Sequence, residues 1–256
     1  MVTYLSKKSY RRKDLKEVTF QDLWGDNGVF TTMWIFGNDP KILFFKKHIK
    51  NLIRSLKIYH LNKPHLEKNI LSLLRVNIKK NKTYNHLLRV AVNKKIISIS
   101  LRKRIKPKLN FDLKLVNYKR IKPEFKNLKY KIILKYLSKM DPSSSDIGLC
   151  NNKKLFESGT SNILFIKDNK IFSPINKIYK GVTYTFFENK LKKIIKKDIL
   201  IKSLHVYDEI ILIGSGKGVT SINTIKDIKW KRRNLKFYQI LTKFYKTQIN
   251  KCSIYK

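Results

Sequence analysis

Hydrophobic and polar residues recur along the chain in patterns that predict a mixture of strands and helices. The run Val29–Phe36 is rich in β-branched and aromatic residues and ends at Gly37-Asn38-Asp39-Pro40, which predicts a strand and its turn. Between His48 and Tyr59 the apolar residues recur at helical spacing, at Ile49, Leu52, Ile53 and Leu56. Leu66–Ile78 shows a second amphipathic pattern, so two helices are expected after the strand.

The remaining pattern of the first half predicts more strands and then a linker. Ile42–Phe45 predicts a short strand, and Leu87–Val92 with Ile96–Leu101 predicts a hairpin pair. The lysine-rich stretch from Arg104 to Pro123 contains prolines and predicts a linker. The first half therefore predicts a small α/β domain.

Short apolar runs alternate with amphipathic segments in the second half. The predicted strands are 147–150, 154–157, 162–167, 170–172 and 209–213, and the predicted helices are 128–137, 183–196 and 235–251. We expect two α/β domains, a small one over 1–118 and a larger one over 126–256, joined by a linker at 119–125.

Composition excludes several classes of protein. Hydrophobic residues make up 42% and aromatic residues 12% of the 256 residues, too many for a disordered chain. The two cysteines, Cys150 and Cys252, predict neither a disulfide framework nor a metal site. The sequence has no N-terminal apolar segment and no apolar run of about 18 residues, so a cytoplasmic protein is expected.

The formal net charge of +41 favours contact with phosphate backbones. This charge comes mainly from lysines spread along the whole chain, and no zinc-finger spacing or RNA-recognition signature accompanies it. Lysine abounds together with isoleucine and asparagine, as in proteins of AT-rich genomes. Weak nonspecific binding to nucleic acid at low salt is therefore expected, rather than a dedicated nucleic-acid site.

Four segments carry the candidate chemistry, in a fixed order. Lys126-Asn127-Leu128-Lys129-Tyr130 offers an amine, and Glu157-Ser158-Gly159-Thr160-Ser161-Asn162 offers a carboxylate between apolar runs. Gly181-Val182-Thr183 opens a predicted helix, and Gly214-Ser215-Gly216-Lys217-Gly218 follows a predicted strand. Glycine turns of this kind present backbone N–H groups to a phosphate. An amine, a carboxylate and two anion-binding turns are the parts that hold pyridoxal phosphate.

Together these segments resemble the class IV (fold-type IV) pyridoxal-phosphate enzymes. That family includes branched-chain and D-amino-acid aminotransferases and 4-amino-4-deoxychorismate lyase. The resemblance spans most of the chain and implies an α/β (α+β), two-domain, D-amino-acid-aminotransferase-like fold with the active site in the interdomain cleft. It also implies pyridoxal 5'-phosphate as the cofactor and a homodimer.

The resemblance assigns a role to each matching residue. Lys126 is the expected Schiff-base lysine and proton shuttle, while Lys129 stands where the family has Asn and is the fallback amine. Glu157 is expected to pair with the pyridine nitrogen, although the glycine that follows it is displaced by one position. The other expected cofactor-binding residues are Asn162, Val182, Thr183, Ser215 and Gly216.

Two positions depart from the family's pattern at the phosphate. Asn51 stands where the family's phosphate-binding arginine lies, and Tyr184 stands where arginine commonly follows Gly-Ile-Thr. Lysine does not reproduce the bidentate geometry of arginine, so Lys50 or Arg54 would substitute only as a point charge. The pattern leaves open what replaces the arginine, and whether the protein is catalytically active.

Length and one local segment favour the lyase within this family. Gly25–Thr32 resembles the lyase segment in which Thr32 takes the place of the aminotransferases' usual residue, so Thr32 is a second expected catalytic residue. The expected reaction releases pyruvate and 4-aminobenzoate for folate synthesis. A class IV aminotransferase acting on branched-chain or D-amino acids is the alternative. A degenerate non-catalytic member or a basic nucleic-acid-binding protein also remains open.

Overall fold

The computed structural model describes residues 3–191 and 193–255. They form two compact units. The first takes its residues from Met1–Arg104, Phe125–Lys131 and Lys251–Lys256, and the second from Ile105–Glu124 and Ile132–Asn250. None of the helices in the described part of the chain is long and apolar enough to cross a membrane.

The first unit is built on one antiparallel sheet of six strands in the order β2-β1-β6-β5-β3-β4. Its strands are β1 (Tyr4–Arg11), β2 (Glu17–Val18), β3 (Gly28–Gly37), β4 (Lys41–Ile42), β5 (Tyr84–Asn93) and β6 (Ile96–Lys103), and its helices are α1 (Phe45–Ile58) and α2 (Leu66–Asn77).

The two faces of this sheet differ in chemistry, because side chains alternate along each strand. On β3, Val29, Met33 and Ile35 join the apolar stripes of α1 and α2 in one buried core. The intervening residues Phe30 and Thr32 lie on the opposite face. The helix-covered face is thus an ordinary hydrophobic core, and the other face is available for polar chemistry.

The second unit contains two mixed sheets, in the orders β12-β11-β10-β13-β14 and β16-β15-β7-β8-β9. Its strands are β7 (Asp112–Asn117), β8 (Ser145–Asn151), β9 (Lys154–Ser158), β10 (Asn162–Lys167), β11 (Lys170–Pro174), β12 (Ile194–Lys197), β13 (Glu209–Gly214), β14 (Gly218–Ser221), β15 (Thr224–Ile225) and β16 (Trp230–Lys231). The helices are α3 (Lys131–Leu137), whose first residue belongs to the first unit, α4 (Val182–Lys190) and α5 (Lys236–Asn250), with short 3-10 helices at Ile201–Val206 and Lys226–Ile228.

Residues from both sheets of the second unit share one hydrophobic core. Leu113 on β7 and Leu155 on β9 join Phe165 on β10 and Leu212 on β13 in this cluster. The alternate residues of β13, Ile211 and Ile213, are buried on its other face, and α4 and α5 pack against this strand. The ends of β9, β10 and β13 and the start of α4 carry the predicted cofactor-binding residues.

Most predicted elements are confirmed, and three are wrong in part. Of the strand predicted at 42–45, only Ile42 lies in a strand, β4, because Phe45 already begins α1. The helix predicted at 128–137 begins at Lys131, since Leu128 is hydrogen-bonded to Gly28 in an extended segment. The helix predicted at 183–196 ends at Lys190, because Ile194–Lys197 pairs in parallel with β11.

The limits of the two units also differ from the predicted domains 1–118 and 126–256. The predicted linker at 104–123 contains β7, which pairs in parallel with β8, so the linker prediction is wrong over Asp112–Asn117. Residues 125–131 return to the first unit, where Phe30 N–H donates to the Lys126 carbonyl at 2.9 Å. The segment that carries the predicted catalytic lysine therefore belongs with the small sheet.

Candidate active site

Glu157 lies in the second unit, near the end of the buried strand β9, and is itself buried. Its Oε1 accepts a hydrogen bond from Arg120 Nη1 at 2.9 Å, and its Oε2 accepts one from the Tyr179 N–H at 3.4 Å. The side chains of Arg120 and Glu157 are 3% and 7% exposed, so they form a buried ion pair. The carboxylate is therefore fixed in orientation.

Asn162, the first residue of β10, fixes the turn that leads into α4. Its Nδ2 donates to the Tyr179 carbonyl at 2.6 Å, and its Oδ1 accepts the Gly181 N–H at 3.1 Å. A Cβ at position 181 would come within 2.9 Å of Asn162 Oδ1, so a larger residue there would displace the asparagine side chain. Since Tyr179 also contacts Glu157, the asparagine and the carboxylate share one support.

The start of α4 supplies a set of donors for an anion. Gly181 precedes the helix in an extended conformation, and the N–H groups of Val182 and Thr183 lie in the first turn, where α-helices offer no intrahelical acceptor. This turn contains no acidic residue, so the positive end of the helix dipole is not compensated there. Thr183 Oγ1 lies 3.4 Å from Ser215 Oγ, which adds two hydroxyls to the same set.

Ser215 and Gly216 lie in the tight turn between β13 and β14, where Gly214 pairs with Gly218. A Cβ on Gly214 would come within 2.7 Å of Ser161 Oγ, so this turn packs directly against the loop that follows Glu157. Gly218 has a φ of 73°, which favours glycine and allows the chain to reverse.

A buried carboxylate supports both of these loops. Asp146, at the start of β8, is fully buried, and its Oδ2 accepts hydrogen bonds from Ser158 Oγ at 3.0 Å and Thr160 Oγ1 at 2.7 Å. Lys217 Nζ lies 3.8 Å from the same oxygen. Asp146 thereby links the loop after β9 to the turn after β13.

Lys126 lies in the first unit, on the segment that pairs with the start of β3. Its Nζ is 5.3 Å from the centroid of the Phe30 ring. Burial, and then the charge of Lys126, lower the pKa of His48 to about 3. His48 is buried, and its Nδ1 lies 2.8 Å from Thr31 Oγ1, so this histidine is neutral near pH 7.

Lys129, the fallback amine, has different surroundings. Its Nζ donates to the Gly25 carbonyl at 2.6 Å, and the residue is exposed. Lys126 is half-buried against an aromatic ring. The two lysines of the motif therefore differ in environment although they are three residues apart.

Thr32 is half-buried on the face of the first sheet that the helices do not cover, directly opposite Arg89 on β5. The guanidinium carbon of Arg89 lies 3.6 Å from the Trp24 ring centroid and 5.6 Å from that of Phe30. Arg89 Nη2 donates to the Asp22 carbonyl at 2.6 Å. Burial lowers the pKa of Arg89 to about 10, against the opposing effect of Asp22, so the residue remains a cation at pH 7.

The positions that replace the family's arginines offer no guanidinium. Asn51 is half-buried on α1, whereas Lys50 and Arg54 are exposed. Tyr184 is fully buried, and its hydroxyl lies 2.8 Å from Ser173 Oγ, so it is part of the core of the second unit. Neither position therefore adds a guanidinium to the N–H groups and hydroxyls at the start of α4.

The structure brings six of the predicted residues into one connected set within the second unit. These are Glu157, Asn162, Val182, Thr183, Ser215 and Gly216. Lys126 and Thr32 belong to the first unit, where Lys126 and Arg89 both approach the ring of Phe30. Their individual roles stay predictions.

Sequence analysis missed the residues that support this set. They are Arg120, Tyr179 and Asp146, and in the first unit, sequence analysis also missed Arg89, which lies opposite Thr32. Arginine is rare in this chain, with ten arginines among 58 basic residues, and Arg89 and Arg120 are the basic residues found buried in its described part. The presence of arginine in so lysine-rich a sequence was the available signal, since a planar guanidinium suits a buried ion pair better than an ammonium group does.

Several solved structures share this fold. A branched-chain aminotransferase from Thermoproteus uzoniensis with norvaline matches at 18% identity and a TM-score of 0.73, covering 93% of each chain. The "Putative 4-amino-4-deoxychorismate lyase" of Legionella pneumophila matches at 15% identity and a TM-score of 0.72, covering 87% of this chain and 91% of that one. A hypothetical aminotransferase from Mycobacterium tuberculosis, in its PLP-bound form, matches at 12% identity and a TM-score of 0.70, covering 95% of this chain and 99% of that one.

The family of this protein is established by a match of its sequence to a family model. The model of amino-transferase class IV matches residues 28–225, so the chain belongs to the class IV aminotransferase family. None of the curated proteins matches this sequence. The predicted family, its fold and its class of pyridoxal-phosphate-dependent enzymes are confirmed. Lyase and transaminase are not distinguished, because structures of both kinds share the fold.

Proposed function

We propose that this protein is a pyridoxal-phosphate-dependent lyase that converts 4-amino-4-deoxychorismate to pyruvate and 4-aminobenzoate. The observation that carries the lyase assignment is the buried cation Arg89 beside Thr32, within a cluster of aromatic rings. Ring centroids of Trp24, Phe30 and Tyr130 lie 4.9 to 5.7 Å apart in this cluster. An anionic substrate with an unsaturated ring suits such a surface better than an aliphatic amino acid does.

The donor set of the second unit fits the cofactor. The buried carboxylate of Glu157 can accept a proton-bearing ring nitrogen, because each carboxylate oxygen has two acceptor sites. The N–H groups of Val182 and Thr183 and the hydroxyls of Thr183 and Ser215 suit a phosphate group. The backbone N–H of Gly216 would extend this set. Bound pyridoxal phosphate supplies an electron sink for charge that develops at the substrate's α carbon.

Lys126 would provide the reacting amine in this proposal. Its half-buried position against Phe30 separates its amine from bulk water more than that of the exposed Lys129. It would hold the cofactor and act as the base and then the acid of the reaction, taking the proton from the substrate's α carbon and returning a proton to the departing enolpyruvyl group. The neutral neighbour His48 adds no competing positive charge near it.

Thr32 and Arg89 would act on the substrate rather than on the cofactor. They face each other across β3 and β5, so their Cβ atoms are about 5 Å apart. A substrate carboxylate near Thr32 would be attracted by the positive charge of Arg89. Asp22 neutralises that charge only in part, because its side chain is half-exposed. This arrangement favours a substrate whose leaving group carries a carboxylate.

The same cofactor residues would serve an aminotransferase, so activity must separate the two reactions. Purified protein is saturated with pyridoxal phosphate beside Lys126→Ala and the matched control Lys129→Ala. We expect a visible band of protein-bound cofactor in the wild type and in Lys129→Ala, and its loss in Lys126→Ala. Release of pyruvate from 4-amino-4-deoxychorismate would support the lyase, whereas a 2-oxo acid formed from a branched-chain or D-amino acid would establish the transaminase.

Two other outcomes belong to the same experiment. The absence of a visible band in all three proteins would overturn the enzyme proposal and favour a non-catalytic family member, in line with the missing arginine at Asn51. Binding to nucleic acid that weakens steeply with salt and ignores Lys126→Ala would explain the charge of +41 instead. We also propose that the protein is a cytoplasmic homodimer, as the family resemblance implies. Sedimentation equilibrium would test the dimer by measuring its mass in solution.

A further inference from the structure

We propose that Arg120 is a positioning residue that keeps the proton of the cofactor–carboxylate pair on the cofactor's ring nitrogen. The inference rests on the proposed function, because it assigns Glu157 to that nitrogen. Arg120 follows β7, in the segment for which sequence predicted only a linker. No family motif pointed to it.

The geometry of the pair is that of a buried, directed contact. Arg120 Nη1 donates to Glu157 Oε1 at 2.9 Å and to the Pro123 carbonyl at 3.3 Å. Both side chains are at least nine-tenths buried. The contact joins residues 37 positions apart, so the fold, and not local sequence, creates it. The same Nη1 group thus donates to a backbone carbonyl and to the carboxylate.

The two oxygens of Glu157 accept hydrogen bonds from different donors. Oε1 receives the short, charge-assisted bond from Arg120, and Oε2 receives a longer one, 3.4 Å, from the Tyr179 N–H. Each carboxylate oxygen has two acceptor sites, so a ring N–H could bond to Glu157 alongside these donors. Tyr179 is itself fixed by Asn162, so the direction in which Oε2 points is set by the same residues that shape the start of α4.

A guanidinium at this distance has a defined chemical consequence. An adjacent positive charge stabilises the anionic form of a carboxylate and so reduces its tendency to take up a proton. When a ring nitrogen and Glu157 share one proton, Arg120 therefore biases the proton towards the nitrogen. Burial alone would act in the opposite direction, because a low-dielectric site favours a neutral carboxylic acid. Arg120 reverses that preference and preserves the protonated ring, which is the better electron sink.

The protonation state of the ring can be measured without turnover. Pyridoxal phosphate labelled with ¹⁵N at the ring nitrogen is bound at saturation to the wild type, Arg120→Met, Arg120→Lys and Glu157→Gln, and the ¹⁵N chemical shift is recorded across pH. Arg233→Met is the matched control, since Arg233 pairs with Asp208 on the surface of the same unit. We expect a protonated ring in the wild type and the control.

We expect Arg120→Met to shift the ratio of protonated to neutral ring about tenfold or more towards neutral, the size associated with removing an adjacent opposite charge. Glu157→Gln should show a neutral ring, and Arg120→Lys an intermediate ratio, because an ammonium group retains charge without the planar geometry. The double variant Arg120→Met with Glu157→Gln should match Glu157→Gln alone. A merely structural role for Arg120 would lower stability and leave these shifts unchanged.

The outcomes separate this inference from the proposed function. A ring that stays protonated in Glu157→Gln would overturn the role of Glu157 and the inference with it. A neutral ring in Glu157→Gln together with an unchanged ring in Arg120→Met would overturn the role of Arg120 alone. If Arg120→Met does not fold, Arg120→Lys decides the question, and a wild-type shift in that variant counts against the inference.

Discussion

Arg120 and Arg89 are the two buried arginines of the described residues, one in each unit, and they are neutralised differently. Arg120 pairs with a carboxylate as buried as itself, at 2.9 Å. Arg89 lies 3.4 Å from Asp22, whose side chain is 51% exposed, and stacks on Trp24. The second unit therefore contains a closed ion pair, while the first contains a buried cation whose charge is only partly compensated. We infer that Arg120 acts on a protein group and that Arg89 is available to a ligand.

The largest expected difference concerns stability. Arg120→Met leaves Glu157 as a buried charge without its cation, and such a loss costs about 3–5 kcal/mol. Arg89→Met loses a partly screened pair and a contact with Trp24, about 1–2 kcal/mol in all. Urea unfolding of the two variants without cofactor measures both values. Equal losses would remove the distinction between the two arginines. The surface control Arg233→Met should change the free energy of unfolding by less than about 0.5 kcal/mol.

The second prediction concerns ligands. Arg89→Met should lower kcat/KM for 4-amino-4-deoxychorismate about 10- to 100-fold through KM, because a hydrogen bond or ion pair to a charged group is lost. Its affinity for pyridoxal phosphate should not change. Arg89→Lys retains the charge and should recover part of the loss. Steady-state kinetics with a parallel cofactor titration tests this division, and an Arg89 variant with impaired cofactor binding would contradict it.

The contrast between these arginines also explains what sequence could and could not predict. Periodicity predicted α1, α2 and β3 because their apolar residues face one core, and the order of four short motifs predicted the family. Arg120 escaped prediction because its partner lies 37 residues away and its neighbours are lysines and prolines. The strand β7 escaped for the same reason, since its alternating pattern lies within a lysine-rich stretch.

The limits of the units depend on tertiary pairing in a similar way. Residues 125–131 follow the second unit's first strand in sequence, yet they hydrogen-bond to Gly28 and Phe30 in the first unit. The early end of α4 depends on the pairing of Ile194–Lys197 with β11. Helical periodicity and turn residues carry no information about such partners, because the contacts form between segments distant in sequence.

The third prediction uses a buried group that carries no charge. The pKa of His48 is lowered to about 3 from 6.5, chiefly by burial. At pH values between these two pKa values, His48 is protonated in the unfolded chain but not in the folded chain. The free energy of unfolding therefore falls by about 1.4 kcal/mol per pH unit as the pH drops below about 6.5. His48→Asn can keep a hydrogen bond to Thr31 and should flatten this slope. Unfolding in urea from pH 7 to pH 4 measures it, with the exposed His205→Asn as the control.

The smallest effect is expected where an ion pair lies on the surface. Glu188 contacts Lys180 at 3.1 Å and Lys196 at 2.6 Å, and both lysines are more exposed than the glutamate. Glu188→Gln should cost less than about 1 kcal/mol at low salt, and the loss should fade in 1 M salt, where the screening length is about 3 Å. The penalty of Arg120→Met should persist at that salt, because buried pairs are screened far less. Urea midpoints at two salt concentrations compare the variants directly, and a salt-sensitive loss in Arg120→Met would mean that its pair with Glu157 is open to solvent.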